Sequence, residues 1–417
     1  GNTNIWDVTD VDSAKDEVTT GSFDYVNKKW AVVVDTNSGK TMKTAWVWDM
    51  DSDNIYGTSC TFDWNLTNYE TVWATGTIYD YMQLAQALNS GKNVRVVGNL
   101  TLTYPLNIPA GITVQVEGNL TTTATNNVTG QGNLRVYGTY YAYSNIVVPT
   151  QVLGLVTADN ISIKADTHVY NSATLGATVT NTATNTIDTG VHFCSRNGTV
   201  TANNYLVING HYESNDTILN VGGEINSTNT MIVFGNLTIK SGTLTVGKTA
   251  AGSLVMAGNG TISGNGTLQV GTAGTVDGSV TLTTGSAVNM AGSVIVDAKG
   301  TISQNYVSGK TLTAGSVTIN GGTVNVPGSI VASTGNVVIG TGSHVTVTGT
   351  ISAPNGVVSI SNGATVETGS ESGKPGTGLA LGSLTVKGQS VAVSGSDLYV
   401  NLSYAAANNS NSVAFAY

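Results

Sequence analysis

The stretch that decides the fold spans residues 328–349 and reads GSIVASTGNVVIGTGSHVTVTG. Glycine recurs every seven residues at 328, 335, 342 and 349, and the step continues to 356 and 363. Within each unit apolar residues alternate with Thr, Ser or Asn, as in Val345, Thr346 and Val347. Such alternation is typical of strands that bury one face. The segment therefore predicts short strands joined by glycine bends.

A seven-residue period also occurs in coiled coils, but this composition disfavours a helix. Every unit contains a helix-breaking glycine and is dominated by Val, Ile and Thr, which favour strands. Five strand residues and a two-residue bend make seven, so three units make one coil of about 20 residues. Upstream, the Gly-Asn-Leu-Thr motif at 98–101 recurs at 118–121, a spacing of 20. The chain is predicted to be all-β, a parallel β-helix or β-solenoid of stacked short strands.

The composition divides the chain into two regions. Charged residues make up only 10% of the chain and apolar residues 40%, which is not the composition of a disordered protein. All six tryptophans lie within the first 73 residues, and residues 1–75 carry 12 Asp and Glu against 5 Lys and Arg. Residues 1–75 are therefore predicted to form a small, acidic, Trp-rich β domain. The net charge of −9 disfavours a nucleic-acid partner.

One helix is predicted, at residues 78–89. Tyr81, Leu84, Ala85 and Leu88 fall on one helical face, and Ser90-Gly91 supplies a C-terminal stop. A strand follows at once, so this short helix is expected to cap the open end of the solenoid. The predicted domains are then 76–97, the capping helix and first strand, and 98–417, the solenoid body with C-terminal strands.

The segments 81–91, 94–102 and 105–111 together resemble the opening of pectate-lyase-like right-handed parallel β-helix proteins, over about residues 77–120. The resemblance implies an N-terminal helix that caps the first coil. That fold hosts lyases, hydrolases, adhesins and surface-layer proteins, so the function stays open. The remaining sequence resembles bacterial and archaeal surface-layer, sheath and adhesin proteins in general character. An amyloid-like archaeal cell-sheath protein is the nearest specific resemblance.

Export to the cell surface is expected. The chain opens at Gly1 without a leader, which indicates a secreted protein whose signal peptide has been removed. No run of about 18 apolar residues is present, so no membrane span is predicted. Asn-x-Ser/Thr sequons, which chance alone produces often in so Asn- and Thr-rich a chain, supply candidate glycosylation sites. They are Asn65, Asn99, Asn119, Asn127, Asn160, Asn197, Asn215, Asn226, Asn236, Asn259, Asn265, Asn401 and Asn408.

Catalytic residues are not evident. Polysaccharide-cleaving enzymes need clustered carboxylates, but the acidic residues after position 235 are widely scattered. They are Asp277, Asp297, Glu367, Glu371 and Asp397. The histidines, His168, His192, His211 and His344, lack the close spacing of a zinc site. His192 and Cys194 would share a strand face, which is weak evidence for a site. The protein is predicted not to be an enzyme and to need no cofactor.

The best metal candidate is the alternating acidic run Asp49, Asp51 and Asp53. These carboxylates offer oxygen ligands to Ca²⁺, but the twelfth position, where an EF-hand has a bidentate Glu, is Cys60. A plain acidic loop is the favoured alternative. Cys60 and Cys194 are the only cysteines, and a disulfide within the chain, a disulfide between chains and two free thiols all stay open.

The favoured function is a structural subunit of an extracellular filament, sheath or surface layer, which assembles with copies of itself through strand edges and aromatic contacts. The alternative is an adhesin or carbohydrate-binding stalk that holds cell-surface glycans, with tryptophans as stacking platforms. A polysaccharide lyase or hydrolase is a third, less favoured reading that rests on the fold alone.

Overall fold

The computed structural model describes residues 66–367, except 126, 160–161, 178–183, 204, 221–222, 226–229, 284, 305–309, 350, 357 and 362. Outside that range it describes only the backbone of short strands. Seven of these strands precede residue 66. They are β1 (Val11–Asp12), β2 (Glu17–Val18), β3 (Trp30–Val34), β4 (Met42–Trp46), β5 (Trp48–Asp51), β6 (Asn54–Tyr56) and β7 (Phe62–Asp63). They pair antiparallel as β1–β2, β3–β4–β7 and β5–β6.

From residue 69 onward the strands pair in parallel, as the sequence predicts. The first part of this series comprises β8 (Tyr69–Trp73), α1 (Tyr79–Leu88), β9 (Asn93–Val97), β10 (Leu100–Leu102), β11 (Leu106–Ile108), β12 (Thr113–Val116), β13 (Leu120–Thr122), β14 (Val128–Gly130), β15 (Asn133–Val136), β16 (Tyr140–Ala142), β17 (Thr150–Val152), β18 (Val156–Ala158), β19 (Ser162–Ile163), β20 (Thr167–Val169), β21 (Ala173–Leu175), β22 (Asn185–Ile187) and β23 (His192–Ala202).

The second part continues in the same manner. It comprises β24 (Leu206–Ile208), β25 (His211–Leu219), β26 (Gly223–Ile225), β27 (Thr230–Val233), β28 (Leu237–Ile239), β29 (Thr243–Val246), β30 (Gly252–Met256), β31 (Thr261–Ser263), β32 (Thr267–Val270), β33 (Gly278–Leu282), β34 (Ala287–Asn289), β35 (Ser293–Asp297), β36 (Gly300–Gln304), β37 (Lys310–Ala314), β38 (Ser316–Asn320), β39 (Thr323–Val326), β40 (Ser329–Ala332), β41 (Val337–Ile339), β42 (His344–Val347), β43 (Ile351–Ser352), β44 (Val358–Ser361), β45 (Thr365–Glu367) and β46 (Leu384–Lys387).

These strands form a parallel β-solenoid of about 13 turns, in which each complete turn contributes one strand to each of three rows. The chain divides into two compact units, residues 1–204 with 210–215 and residues 205–209 with 216–417. In unit 1, row A runs β8, β9, β12, β15, β17, β20 and the first half of β23, and row B runs β10, β13, β16, β18, β21 and the second half of β23. Row C holds β11 with β14, and β19 with β22.

Unit 2 repeats the three rows with longer strands. Row A runs β27, β30, β33, β36, β39, β42 and β45. Row B runs β28, β31, β34, β37, β40 and β43. Row C runs β24, β26, β29, β32, β35, β38, β41, β44 and β46. The predicted fold class is therefore confirmed.

The register confirms the predicted coil length. Leu100 pairs with Leu120, the spacing of 20 read from the repeated motif. Val345 pairs with Val324 on one side and Val366 on the other, a spacing of 21, or three units of seven. Because identical positions stack, each inward column is continuous. Val94, Val114 and Leu134 form one such column and are fully buried. Each such side chain contributes roughly 1.5–3 kcal/mol relative to exposure.

The corner that follows row A explains the Gly-Asn-Leu-Thr motif. A Cβ atom on Gly118 would lie 2.4 Å from the carbonyl oxygen of Gly98 in the previous coil, so only glycine fits. The next residue locks the coils together, because Oδ1 of Asn99 accepts the backbone N–H of Asn119 at 2.9 Å. Oδ1 of Asn119 in turn accepts the N–H of Thr139 at 2.8 Å. The motif therefore encodes the spacing between coils.

The helix is present, but its buried face differs from the predicted one. Helix α1 packs on β8 and β9 through Leu84 and Ala87, whereas Tyr81 is exposed and Ala85 only half-buried. Asp80 turns inward with them because its carboxylate accepts hydrogen bonds from the N–H groups of Thr75 and Gly76. Burial acts to raise the pKa of Asp80, but these hydrogen bonds outweigh it and the pKa is lowered. Hydrophobic spacing alone did not anticipate an inward carboxylate.

Replacing Gly118 by Ala is expected to destabilise unit 1 by about 3 kcal/mol, because the added methyl group must separate two stacked backbones. The measurement is the guanidinium midpoint of unfolding. The matched control is Gly111→Ala, since a Cβ there meets open space and the strain comes only from its φ of 77°. The control should lose about 1 kcal/mol. Equal losses in the two variants would contradict the corner's steric role.

Candidate functional site

A column of polar side chains runs along the outer side of row A in unit 1. The strand register places one residue of each coil in it, and the valines on either side of these residues point into the core. Strand alternation requires this separation of inner and outer faces. The column, called the polar column below, consists of Arg95, Gln115, Arg135, Gln151, His168 and Cys194.

The first coils of the polar column are joined by a charged hydrogen-bond network. Nε of Arg95 donates to Oε1 of Glu117 at 2.7 Å, and Nε2 of Gln115 donates to the same oxygen at 3.1 Å. Mainly through the hydrogen bond to Glu117, the pKa of Arg95 is raised. Burial, and then the charge of Glu117, raises the pKa of Tyr137. The network therefore holds Arg95 and Glu117 as a half-buried ion pair.

Two neighbouring strands bring a second group together, called the histidine cluster below and consisting of His192, His211 and Glu213. Nε2 of His211 is hydrogen-bonded to Oε1 of Glu213, whose side chain has no solvent exposure. The rings of His192 and His211 have centroids 5.0 Å apart. Oδ1 of Asp166 accepts the backbone N–H of His192 at 2.9 Å. A buried carboxylate needs such a donor, and His211 supplies it.

The core next to the cluster explains its geometry. Phe193 and Tyr212 are fully buried and stack with ring centroids 5.7 Å apart. Their alternating neighbours therefore project to the outer side: His192 and Cys194 from β23, and His211 and Glu213 from β25. Sγ of Cys194 lies 3.9 Å from Oε2 of Glu213. Sequence reasoning missed Glu213, although His-x-Cys at 192–194 and His-x-Glu at 211–213 are 19 residues apart, about one coil.

The electrostatics of the cluster favour a neutral His192. Burial lowers the pKa of His192, the neighbouring His211 lowers it further, and Asp166 acts in the opposite direction. Among the residues that the structure describes, no group of three or more His, Cys, Asp or Glu is placed to hold a metal ion. The chemistry available here is thus a hydrogen-bonded carboxylate and imidazole pair beside a second imidazole.

The predicted calcium ligands and the predicted cysteine pair fall at the edge of the described structure. Asp49 and Asp51 lie on β5, which pairs with β6, but their side chains and all of Asp53 lie outside the described residues. Cys194 is fully buried and the described chain contains no free cysteine, while Cys60 lies outside the described residues. The calcium site and the pairing of the two cysteines stay predictions.

The candidate glycosylation sites differ in accessibility. Asn127 is buried, and its Oδ1 accepts the N–H groups of Thr123 and Ala124, so it is the least accessible of those described. The exposed sites are Asn99, Asn236, Asn259 and Asn265, and the half-buried ones are Asn119 and Asn215. Outside the described residues lie Asn65, Asn160, Asn226, Asn401, Asn408 and the side chain of Asn197.

The late acidic residues remain dispersed where the structure describes them. Oδ2 of Asp297 accepts Nε2 of Gln269 at 2.7 Å, and Asp277 lies before β33. Glu371, Asp397 and the side chain of Glu367 lie outside the described residues. Of the remaining predicted residues, His168 is buried in the polar column and His344 is exposed on β42.

Comparison of the chain with family models, with curated proteins and with solved structures gives no match. The helix in the described part of the chain is too short and too polar to cross a membrane. The β-solenoid agrees with the resemblance of residues 77–120 to the start of a parallel β-helix. The resemblance of the rest to sheath, surface-layer and adhesin proteins has no support from these comparisons and stays a prediction.

A titration of the imidazoles by NMR tests the histidine cluster. The pKa of His192 should lie below its ordinary value of 6.5, and His211→Gln should raise it, because removing a nearby positive charge favours the protonated ring. The matched variant is Asp166→Asn, which keeps the oxygen that accepts the His192 N–H and should lower the pKa further. Shifts of the same sign in both variants would show that burial alone sets the pKa.

Proposed function

We propose that this protein is a structural subunit that self-associates into an extracellular polymer through the outer side of row A in unit 2. The observation that carries the proposal is a set of small, uncharged side chains in two columns over four coils. They belong to β33, β36, β39 and β42, whose registers place them side by side. This hydroxyl face consists of Ser279, Thr281, Thr301, Ser303, Thr323, Asn325, His344 and Thr346.

Charge is what normally keeps sheet surfaces apart. Soluble proteins place charged residues on sheet edges and faces, and the resulting repulsion opposes association. The hydroxyl face carries no Lys, Arg, Asp or Glu, and all eight side chains are half-buried or exposed. Its repeat of about 4.8 Å between coils and about 7 Å along a strand is the same on every copy. Two copies therefore present matching lattices with no repulsive charge between them.

Hydroxyl groups also make such a face self-complementary. Each Ser or Thr hydroxyl both donates and accepts a hydrogen bond, so two hydroxyl arrays can satisfy each other when water is removed. Row C shows this pairing within one molecule, where the hydroxyls of Ser293 and Ser316 on adjacent coils are 2.8 Å apart. Stacked sheets with interdigitated side chains lie about 10 Å apart and are very resistant to denaturation. A heat- and denaturant-resistant polymer is expected.

The test places one charge in the middle of the hydroxyl face. Ser303→Lys should raise the concentration needed for assembly about tenfold or more, because like charges then meet across the contact. Sedimentation velocity and electron microscopy of the full chain over a concentration series measure this. Added salt should restore part of the assembly, since it screens the lysines.

The matched control is Thr318→Lys, the same kind of change on a half-buried, outward position of row C in the following strand series. It should assemble like the unchanged protein. Stable monomers of the unchanged protein at high concentration would overturn the proposed function. Equal loss of assembly in both lysine variants would overturn the assignment to the hydroxyl face.

A further inference from the structure

A pair of exposed tyrosines stands out from the uniform outer side of row B in unit 1. Tyr141 on β16 is 45% exposed and Tyr143, which follows the strand, is 50% exposed. Between them Ala142 is buried, so both rings project to the outer side of the coil. Soluble surfaces rarely hold neighbouring large rings without a partner.

The column that contains Tyr141 is otherwise made of threonine. Registers place one outward residue from each of six coils in line: Thr101, Thr121, Tyr141, Thr157, Thr174 and Thr201. Because the adjacent residues on both sides, Thr121 and Thr157, are small, the Tyr141 ring rises above them. Both faces of the ring are therefore open along the stacking direction. The result is an aromatic ring set in a row of hydroxyl groups.

The platform beneath the two rings is fixed. Strand β16 pairs in parallel with β13 on one side and β18 on the other. The backbone N–H of Tyr143 donates to Oγ1 of Thr122 at 2.8 Å, which holds the residue after the strand in place. Tyrosine on a rigid backbone presents a large amphipathic contact area at a small cost in conformational entropy. The site is thus built before any ligand arrives.

We propose that Tyr141 and Tyr143, together with the threonines beside Tyr141, bind a neutral polysaccharide chain. A sugar ring has an apolar C–H face that stacks on an aromatic ring and hydroxyl edges that bond to threonine. An extended chain repeats along its length much as the coils repeat every 4.8 Å or so. One ligand thereby meets rings and hydroxyls together, and this proposal does not depend on the proposed self-association.

Charge decides between neutral and acidic chains. The threonine column carries no cation to pair with a carboxylate, sulfate or phosphate. The nearest carboxylate along the adjacent coil belongs to Asp159, whose N–H bonds to the carbonyl oxygen of Ala142. A carboxylate accepts hydrogen bonds from sugar hydroxyls but repels anions. Acidic polysaccharides and nucleic acids are therefore disfavoured.

Isothermal titration calorimetry of the full chain with cellohexaose, chitohexaose and mannohexaose tests the site, with hexagalacturonate as the acidic comparison. At least one neutral oligosaccharide should bind with a Kd of about 1 mM or tighter. Tyr141→Thr and Tyr143→Thr should each weaken that binding about tenfold, because each loses one stacking ring. Heat released on titration reports binding whether or not the protein assembles.

The solenoid itself supplies variants that keep the fold. Threonine already occupies the Tyr141 position in the adjacent coils, so Tyr141→Thr extends an existing column. Tyr141→Phe keeps the ring and should bind almost as well as the unchanged protein, and Tyr205→Ala removes an exposed tyrosine elsewhere and should change nothing. The proposal is overturned if no neutral oligosaccharide binds, if hexagalacturonate binds more tightly, or if Tyr205→Ala weakens binding as much as Tyr141→Thr.

Discussion

Parallel, in-register stacking of one coil on the next is the constraint on which everything else in this structure depends. It puts equivalent residues at a fixed repeat of about 4.8 Å, so any residue that recurs in the sequence becomes a continuous column. Valine recurring inside produces the core, and threonine recurring outside produces ladders of hydroxyls. A local change in one coil is therefore felt by both neighbours, as the contact between Gly118 and the backbone of Gly98 illustrates.

The same constraint explains how surfaces acquire chemistry here. A residue gains neighbours from adjacent coils rather than from its own strand, so a chemical group is a column or an interruption of a column. Arg95 meets Glu117 from the next coil, and Tyr141 interrupts a line of threonines. The hydroxyl face of unit 2 is a column pair without interruption by charge. Assembly and recognition are thus proposed on different faces of one repeated architecture.

Much of the fold could be predicted because the repeat is written in the sequence. The spacing of 20 between two Gly-Asn-Leu-Thr motifs is the register of Leu100 with Leu120, and three seven-residue units give the pairing of Val324 with Val345. Helix α1 was found from its spacing, but its inward face was wrong because Asp80 is held by Thr75 and Gly76. Such hydrogen bonds from a preceding turn leave no periodic signal.

The sequence by itself determined the strand period, the coil length and the inward columns, since these follow from the alternation of apolar residues and the positions of glycine. Only the tertiary structure decided which outward residues meet. Coils of unit 1 differ in length, from 16 residues between Leu134 and Thr150 to 26 between Thr167 and Phe193. Counting along the chain therefore cannot place His211 beside His192, or Tyr141 between Thr121 and Thr157. Contacts between coils depend on the register, which backbone hydrogen bonds and core packing fix together.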